Sequence, residues 1–93
     1  MFEIRVVDGV VRLKGRLDAS QSDQALKVMR GVEGSISVDC SELDYISSAG
    51  IGVIIETYRR LHGSGNTLKL VNLLPRVRNI FAYAGLDRIL TIE

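Results

Sequence analysis

One cysteine, one histidine and one proline are all that 93 residues hold of these three decisive side chains. Cys40, being alone, closes no internal disulfide, which fits a reducing compartment. A single Cys with a single His also gives no basis for a zinc site. Net charge is nearly absent, at +1 near neutral pH. The clustered cations that phosphate backbones and anionic membranes demand are therefore missing, and neither nucleic acid nor membrane is expected as a partner. No apolar run approaches the roughly 20 residues needed to span a bilayer. The opening "MFEIRVVDG" has none of the parts of a signal peptide. The expectation is a cytoplasmic protein made of one complete domain, residues 1–93.

The residues present, 46% apolar and 25% charged, suit a folded domain with one modest core. "FEIRVV" and "VVRLKG" flank Asp8-Gly9, a two-residue hairpin signal because both turn positions need positive φ. Pairing Val7 with Val10 sets Val6 against Val11 and Ile4 against Leu13 on one face. Glu3 then lies opposite Lys14 and Arg5 opposite Arg12 on the other.

"GRLDASQSDQALKVMRG" reads as the first helix. Asp18 with Gln21, or Ser20 with Asp23, provides a capping-box start, and Ser22, Ala25, Leu26 and Met29 follow at helical spacing. Gly31 or Gly34 ends it. "SISVDC" alternates as a strand, with Ile36, Val38 and Cys40 inward. A second helix starts near Ser47 or Ser48, with Ile51, Ile54, Ile55, Tyr58 and Leu61 on one stripe and Glu56, Arg59 and Arg60 facing away. "TLKLVNL" is strand-like, Pro75 opens a third helix that Gly85 stops, and "RILTIE" is a last short strand. The order β-β-α-β-α-β-α-β implies an α/β fold with a mixed sheet of about five strands and parallel crossovers.

The stretch "DYISSAGIGVIIE" sets two hydroxyls before a glycine-bearing helix start. Either Ser47 or Ser48 can cap it, contributing around 1 kcal/mol. Capping leaves Gly50 and Gly52 unexplained, since each costs roughly 1 kcal/mol relative to alanine. Bare backbone beside Ser48 lets another backbone approach, or lets a large polar group sit on the helix terminus. A phosphoryl group there would bring nearly two negative charges to free N–H groups, disturbing the fold little while obstructing a docked protein.

"GRLDASQSDQAL", "SVDCSELDYISSAGIGVIIETYRRLHGSG" and "LPRVRNIFAYAGLDRIL" together resemble the STAS domain of bacterial anti-sigma factor antagonists, across almost the whole chain. The resemblance implies that the unphosphorylated protein captures an anti-sigma factor that is also a serine kinase. That kinase would phosphorylate the serine at the start of the second helix and end the complex, and a metal-dependent serine phosphatase would restore it. Aligned on Gly50, Ser48 falls on the family's phosphoacceptor position, with Ser47 the alternative. Ser47 stands where many members carry aspartate, and Ala49 where serine or threonine is common. Asp18 matches the family's loop acid near the acceptor. The expected partner surface comprises Asp18, Ser20, Tyr45, Ser47, Ser48, Ala49, Gly50, Ile51 and Gly52. Other STAS domains serve as scaffolds or as accessory subunits of lipid transporters, without a kinase cycle.

Other features read as structural. Asp39, at an expected strand end, would orient the serine loop. His62 suits the negative pole of a helix. Arg59, Arg60, Arg76, Arg78 and Arg88 form at most a loose basic face. "GSGNTLK" lacks the Gly-Lys-Ser/Thr of a phosphate loop, and "SSAGIG" is not a nucleophile elbow. No cofactor, no metal and no enzymatic activity are expected.

Overall fold

In the computed structural model, which describes all 93 residues, Asp8 and Gly9 take φ of 49° and 77°. That turn joins strand β1 (Phe2–Val7) to strand β2 (Val10–Leu17). The register is the one the turn dictates, from Val7↔Val10 through Ile4↔Leu13 and Glu3↔Lys14 to Phe2↔Gly15.

Helix α1 (Ser22–Arg30), strand β3 (Ile36–Ile46), helix α2 (Ser48–Gly63), strand β4 (Leu68–Val71), helix α3 (Pro75–Tyr83) and strand β5 (Thr91–Ile92) follow. The sheet order is β1-β2-β3-β4-β5. β1 runs antiparallel to β2, and β2 to β5 are mutually parallel. Because each crossover steps the same way across the sheet, right-handed connections put all three helices on one face. Twenty buried apolar residues form one cluster beneath them, from Leu13 and Leu17 through Val38, Leu43 and Ile46 to Ile54, Leu61 and Phe81. The other face is polar and carries the Arg12–Asp39 (3.5 Å) and Lys14–Glu42 (4.0 Å) ion pairs.

Four local expectations are corrected. β3 does not stop at Cys40 but continues to Ile46. Two register shifts against β2, between Arg12 and Lys14 and between Gly15 and Arg16, each give β3 one extra residue. Inward residues therefore recur at Cys40, Leu43 and Ile46, a spacing that hides the strand from a period of two.

α1 begins at Ser22, with Gln21 as an N-cap that makes no side-chain cap bond. Asp18 and Ser20 belong to the preceding turn, where the Asp18 carboxylate accepts from the Ser20 N–H (3.0 Å) and hydroxyl (2.7 Å).

α2 is rotated relative to the expected stripe. Gly50, Val53, Ile54, Thr57 and Leu61 face inward, and Ile51, Ile55 and Tyr58 are half-buried at the flank. Thr57 tolerates burial because its hydroxyl donates to the Val53 carbonyl at 2.8 Å.

Arg60 does not face away. Its guanidinium donates to the Met29 carbonyl at 2.7 Å, satisfying an end group of α1. α3 starts with Pro75 and is followed by Gly85 at φ 73°, as its sequence signals require.

Candidate functional site

Leu17 and Ile46, the last residues of the neighbouring parallel strands β2 and β3, are register partners. The segments that follow them, one carrying Asp18 and one carrying the serines, therefore leave the sheet side by side. The Ser47 N–H donates to the Leu17 carbonyl at 2.9 Å and fastens the two together.

Ser47 is the N-cap of α2, extended at φ −89° and ψ 174°. Its hydroxyl oxygen accepts from the Gly50 N–H at 3.2 Å, and its carbonyl accepts from the Ile51 N–H at 2.9 Å. Ser48 is the first helical residue and is exposed, as is Ala49. The Ser48 hydroxyl engages no protein group. The two serines thus divide the work: one holds the helix start, and the other stands free over first-turn N–H groups that have no intrahelical partner.

The two glycines also separate. A Cβ on Gly50 would lie 2.8 Å from Ile46 Cγ1 and 2.9 Å from both Leu17 Cγ and the Leu17 carbonyl. Gly50, expected in the partner-facing surface, is instead buried, and it lets the helix approach the strand ends. A Cβ on Gly52 would meet nothing within 4 Å. Only Gly52 leaves bare backbone at the surface.

Asp18 is held below the ordinary carboxylate range. The Ser20 hydroxyl bond is the largest influence; desolvation opposes it, while the Ser20 N–H, the Arg16 charge and Gln21 assist. With its amide nitrogen turned toward the loop, the Gln21 side chain donates to the Asp18 carboxylate and to the Arg16 carbonyl. Asp18 therefore presents a fixed negative charge at neutral pH.

Arg16 is the residue that sequence reasoning missed. It is the register partner of Tyr45, and its guanidinium lies 4.5 Å from the Tyr45 ring centroid. Its relation to Tyr45 depends on the second β3 bulge, so no local pattern signalled it.

Asp39 does not orient the serine loop. It lies within β3 and accepts from the Ser41 N–H (3.0 Å) and the Asn72 amide (3.3 Å), so it braces the first bulge and the chain after β4. Cys40 is buried, and desolvation together with the Asp39 charge pushes its thiol up to about 12, which leaves no reactive thiolate. His62 is exposed near the far end of α2 and stacks on Tyr58, ring centroids 5.5 Å apart.

No His, Cys, Asp and Glu side chains gather into a metal-binding group. The concavities of the molecule lie on the open sheet face and the β1–β2 hairpin, lined by residues such as Glu3, Lys14, Gly15, Glu42 and Asp44, and not at Ser48. At the serine tip, Ser48, Ala49 and Gly52 are exposed. No helix is long and apolar enough to cross a membrane.

The family model described as "Mlab, STAS domain" matches residues 1–91. BtrV of Bordetella bronchiseptica, a candidate anti-sigma factor antagonist, is 33% identical over 86 residues, spanning 85% of this chain and 73% of that protein. The anti-sigma-B factor antagonist of Listeria monocytogenes is 30% identical over 83 residues, again 85% of this chain and 73% of the relative. Among solved structures, a candidate anti-sigma factor antagonist from Thermotoga maritima superposes with a TM-score of 0.82 at 26% identity. It covers 98% of this chain and 84% of its own. All three are named as anti-sigma factor antagonists, two of them as candidates. With its parallel β2–β3 pair delivering a serine-tipped helix beside an acidic loop, the chain belongs to the STAS-domain family and is related to the anti-sigma factor antagonists within it.

Proposed function

We propose that this chain acts as a single cytoplasmic STAS domain, residues 1–93, and as an anti-sigma factor antagonist switched by phosphorylation of Ser48. In the unphosphorylated state, Ser48, Ala49, Gly52 and half-buried Ile51, with Asp18, Ser20, Tyr45 and Ser47 around them, dock on an anti-sigma factor that is also a serine kinase. Sequestering that partner frees a sigma factor. Phosphate on Ser48 places nearly two negative charges on the docking surface, close to the fixed charge of Asp18, and ends the complex. A serine phosphatase reverses the switch.

The observation that carries this reading is the split between the serines. Ser47 spends its hydroxyl on the helix cap, so modification of exposed Ser48 leaves the cap intact. A phosphoryl group at the first helical position also gains from the helix dipole, which keeps the modified domain folded.

Titration calorimetry with the anti-sigma factor tests it. Ser48→Ala should bind like wild type, and Ser48→Asp at least about tenfold more weakly, a difference near 1.4 kcal/mol. Equal affinity of both variants would overturn the switch.

A second reading is favoured by the description of the matched family model, which names Mlab and no sigma pathway. In it the same surface serves an accessory or scaffold role with no kinase cycle. Partner binding that ignores the charge at Ser48 is its signature.

A further inference from the structure

The outer edge of β1 is built for pairing. β1 is a terminal strand of the sheet, and its ladder with β2 runs from Phe2↔Gly15 to Val7↔Val10 without irregularity. Edge strands are usually blunted by brevity, proline, charged side chains (lysine above all) or a bulge. The opposite edge, β5, has only two residues, whereas β1 has six, "FEIRVV", with no proline, lysine or bulge, and its two charges, Glu3 and Arg5, are of opposite sign. In a two-residue hairpin Val7 and Val10 exchange ladder bonds, so Arg5 and Glu3 also turn their backbone groups toward β2. Phe2, Ile4 and Val6 then present theirs to the open edge.

The side chains along this edge are also unsatisfied. Val6 and Val7 are 44% and 63% exposed. Glu3 and Arg5 take part in none of the five ion pairs of the molecule, and Arg5 faces the like charge of Arg12.

We propose that β1 pairs antiparallel with β1 of a second copy of this chain, about a two-fold axis at Ile4. Ile4 then lies opposite its own equivalent and Phe2 opposite Val6, in hydrogen-bonded pairs formed by the free backbone groups. Glu3 of each copy lies opposite Arg5 of the other, in the non-hydrogen-bonded pairs where side chains come closest. Sliding to the adjacent two-fold registers sets Glu3 against Glu3, or Arg5 against Arg5. Charge therefore selects one register, and the interface is self-complementary as a two-fold contact requires.

Two five-stranded sheets join into one of ten, with every helix on the same face. The two serine tips lie at opposite ends of this sheet, so both are open to a partner. The proposal is independent of the phosphorylation switch.

Sedimentation equilibrium of the intact chain, over a series reaching about 0.5 mM, tests it. Wild type should dimerise. Arg5→Glu and Glu3→Arg each place two like-charged pairs in the interface and should raise the dimer dissociation constant about tenfold or more. Glu3→Arg combined with Arg5→Glu should return it to within about threefold of wild type. All three variants should keep the wild-type circular dichroism spectrum. A wild type that stays monomeric, single reversals that leave the dimer unweakened, or a double variant that fails to recover it would each overturn the pairing.

Discussion

The N–H of Ser47 donates to the carbonyl of Leu17 across 2.9 Å, and that bond holds the Asp18 turn against the start of the serine helix. Both residues stand at the ends of adjacent parallel strands, where open α/β sheets habitually place their functional loops. Gly50 permits the approach, since any Cβ there would press on the same Leu17 carbonyl. The candidate site is therefore a corner of the sheet with the Ser48 hydroxyl exposed on it.

The two serines should separate in stability measurements. Ser47→Ala removes the side-chain bond that caps the N-terminus of α2 and should lower unfolding free energy by about 1 kcal/mol. Ser48→Ala removes an exposed hydroxyl and should change it by less than about 0.5 kcal/mol. Urea denaturation of both variants checks the assignment.

The glycines should separate with opposite signs. Gly50→Ala forces its methyl into Leu17 and Ile46 and should destabilise by about 1–3 kcal/mol. Gly52→Ala meets open space and should stabilise by about 0.5–1 kcal/mol through helix propensity. If the bare surface serves docking, the more stable Gly52→Ala protein should also bind its partner less tightly. Thermal melts and calorimetry on the same samples read both effects.

The hairpin was readable residue by residue because a two-residue turn at Asp8-Gly9 fixes register, and register then dictates every cross-strand pair. The helix start at Ser47 and Ser48 was readable because hydroxyls cap free N–H groups, whereas Asp18, expected in a capping box, lies in the turn before α1. The second half of β3 was not. Its two bulges change the inward spacing to three residues at Cys40, Leu43 and Ile46, a spacing that suits a helix as well as a strand. That loss of phase hid the partnership of Arg16 with Tyr45 and misplaced Asp39. The face of α2 was misread for another reason: an inward glycine and an inward threonine carry no hydrophobic signal, yet Gly50 and Thr57 lie on the packed side.

Asp39 predicts an acid-sensitive brace. Desolvation raises its pKa, but the Ser41 N–H, the Asn72 amide, the Ser41 hydroxyl and the Arg12 charge outweigh it, and the net shift is downward. A carboxylate lowered on folding contributes stability above its unfolded value, and loses that contribution as pH falls through the folded one. Asp39→Asn should cost about 1–2 kcal/mol at pH 7. The gap should narrow once pH drops below about 4. Denaturation of both proteins across pH 2–7 measures it, and a gap independent of pH would refute the brace.

The account rests on Ser48 being the hydroxyl that accepts phosphate while Ser47 holds the cap. Fragment-ion mass spectrometry of the chain recovered from its native host measures this most directly. The predicted result is one phosphate, located on Ser48, with Ser47 unmodified. Phosphate on Ser47, or an unmodified chain under every growth condition, would contradict it.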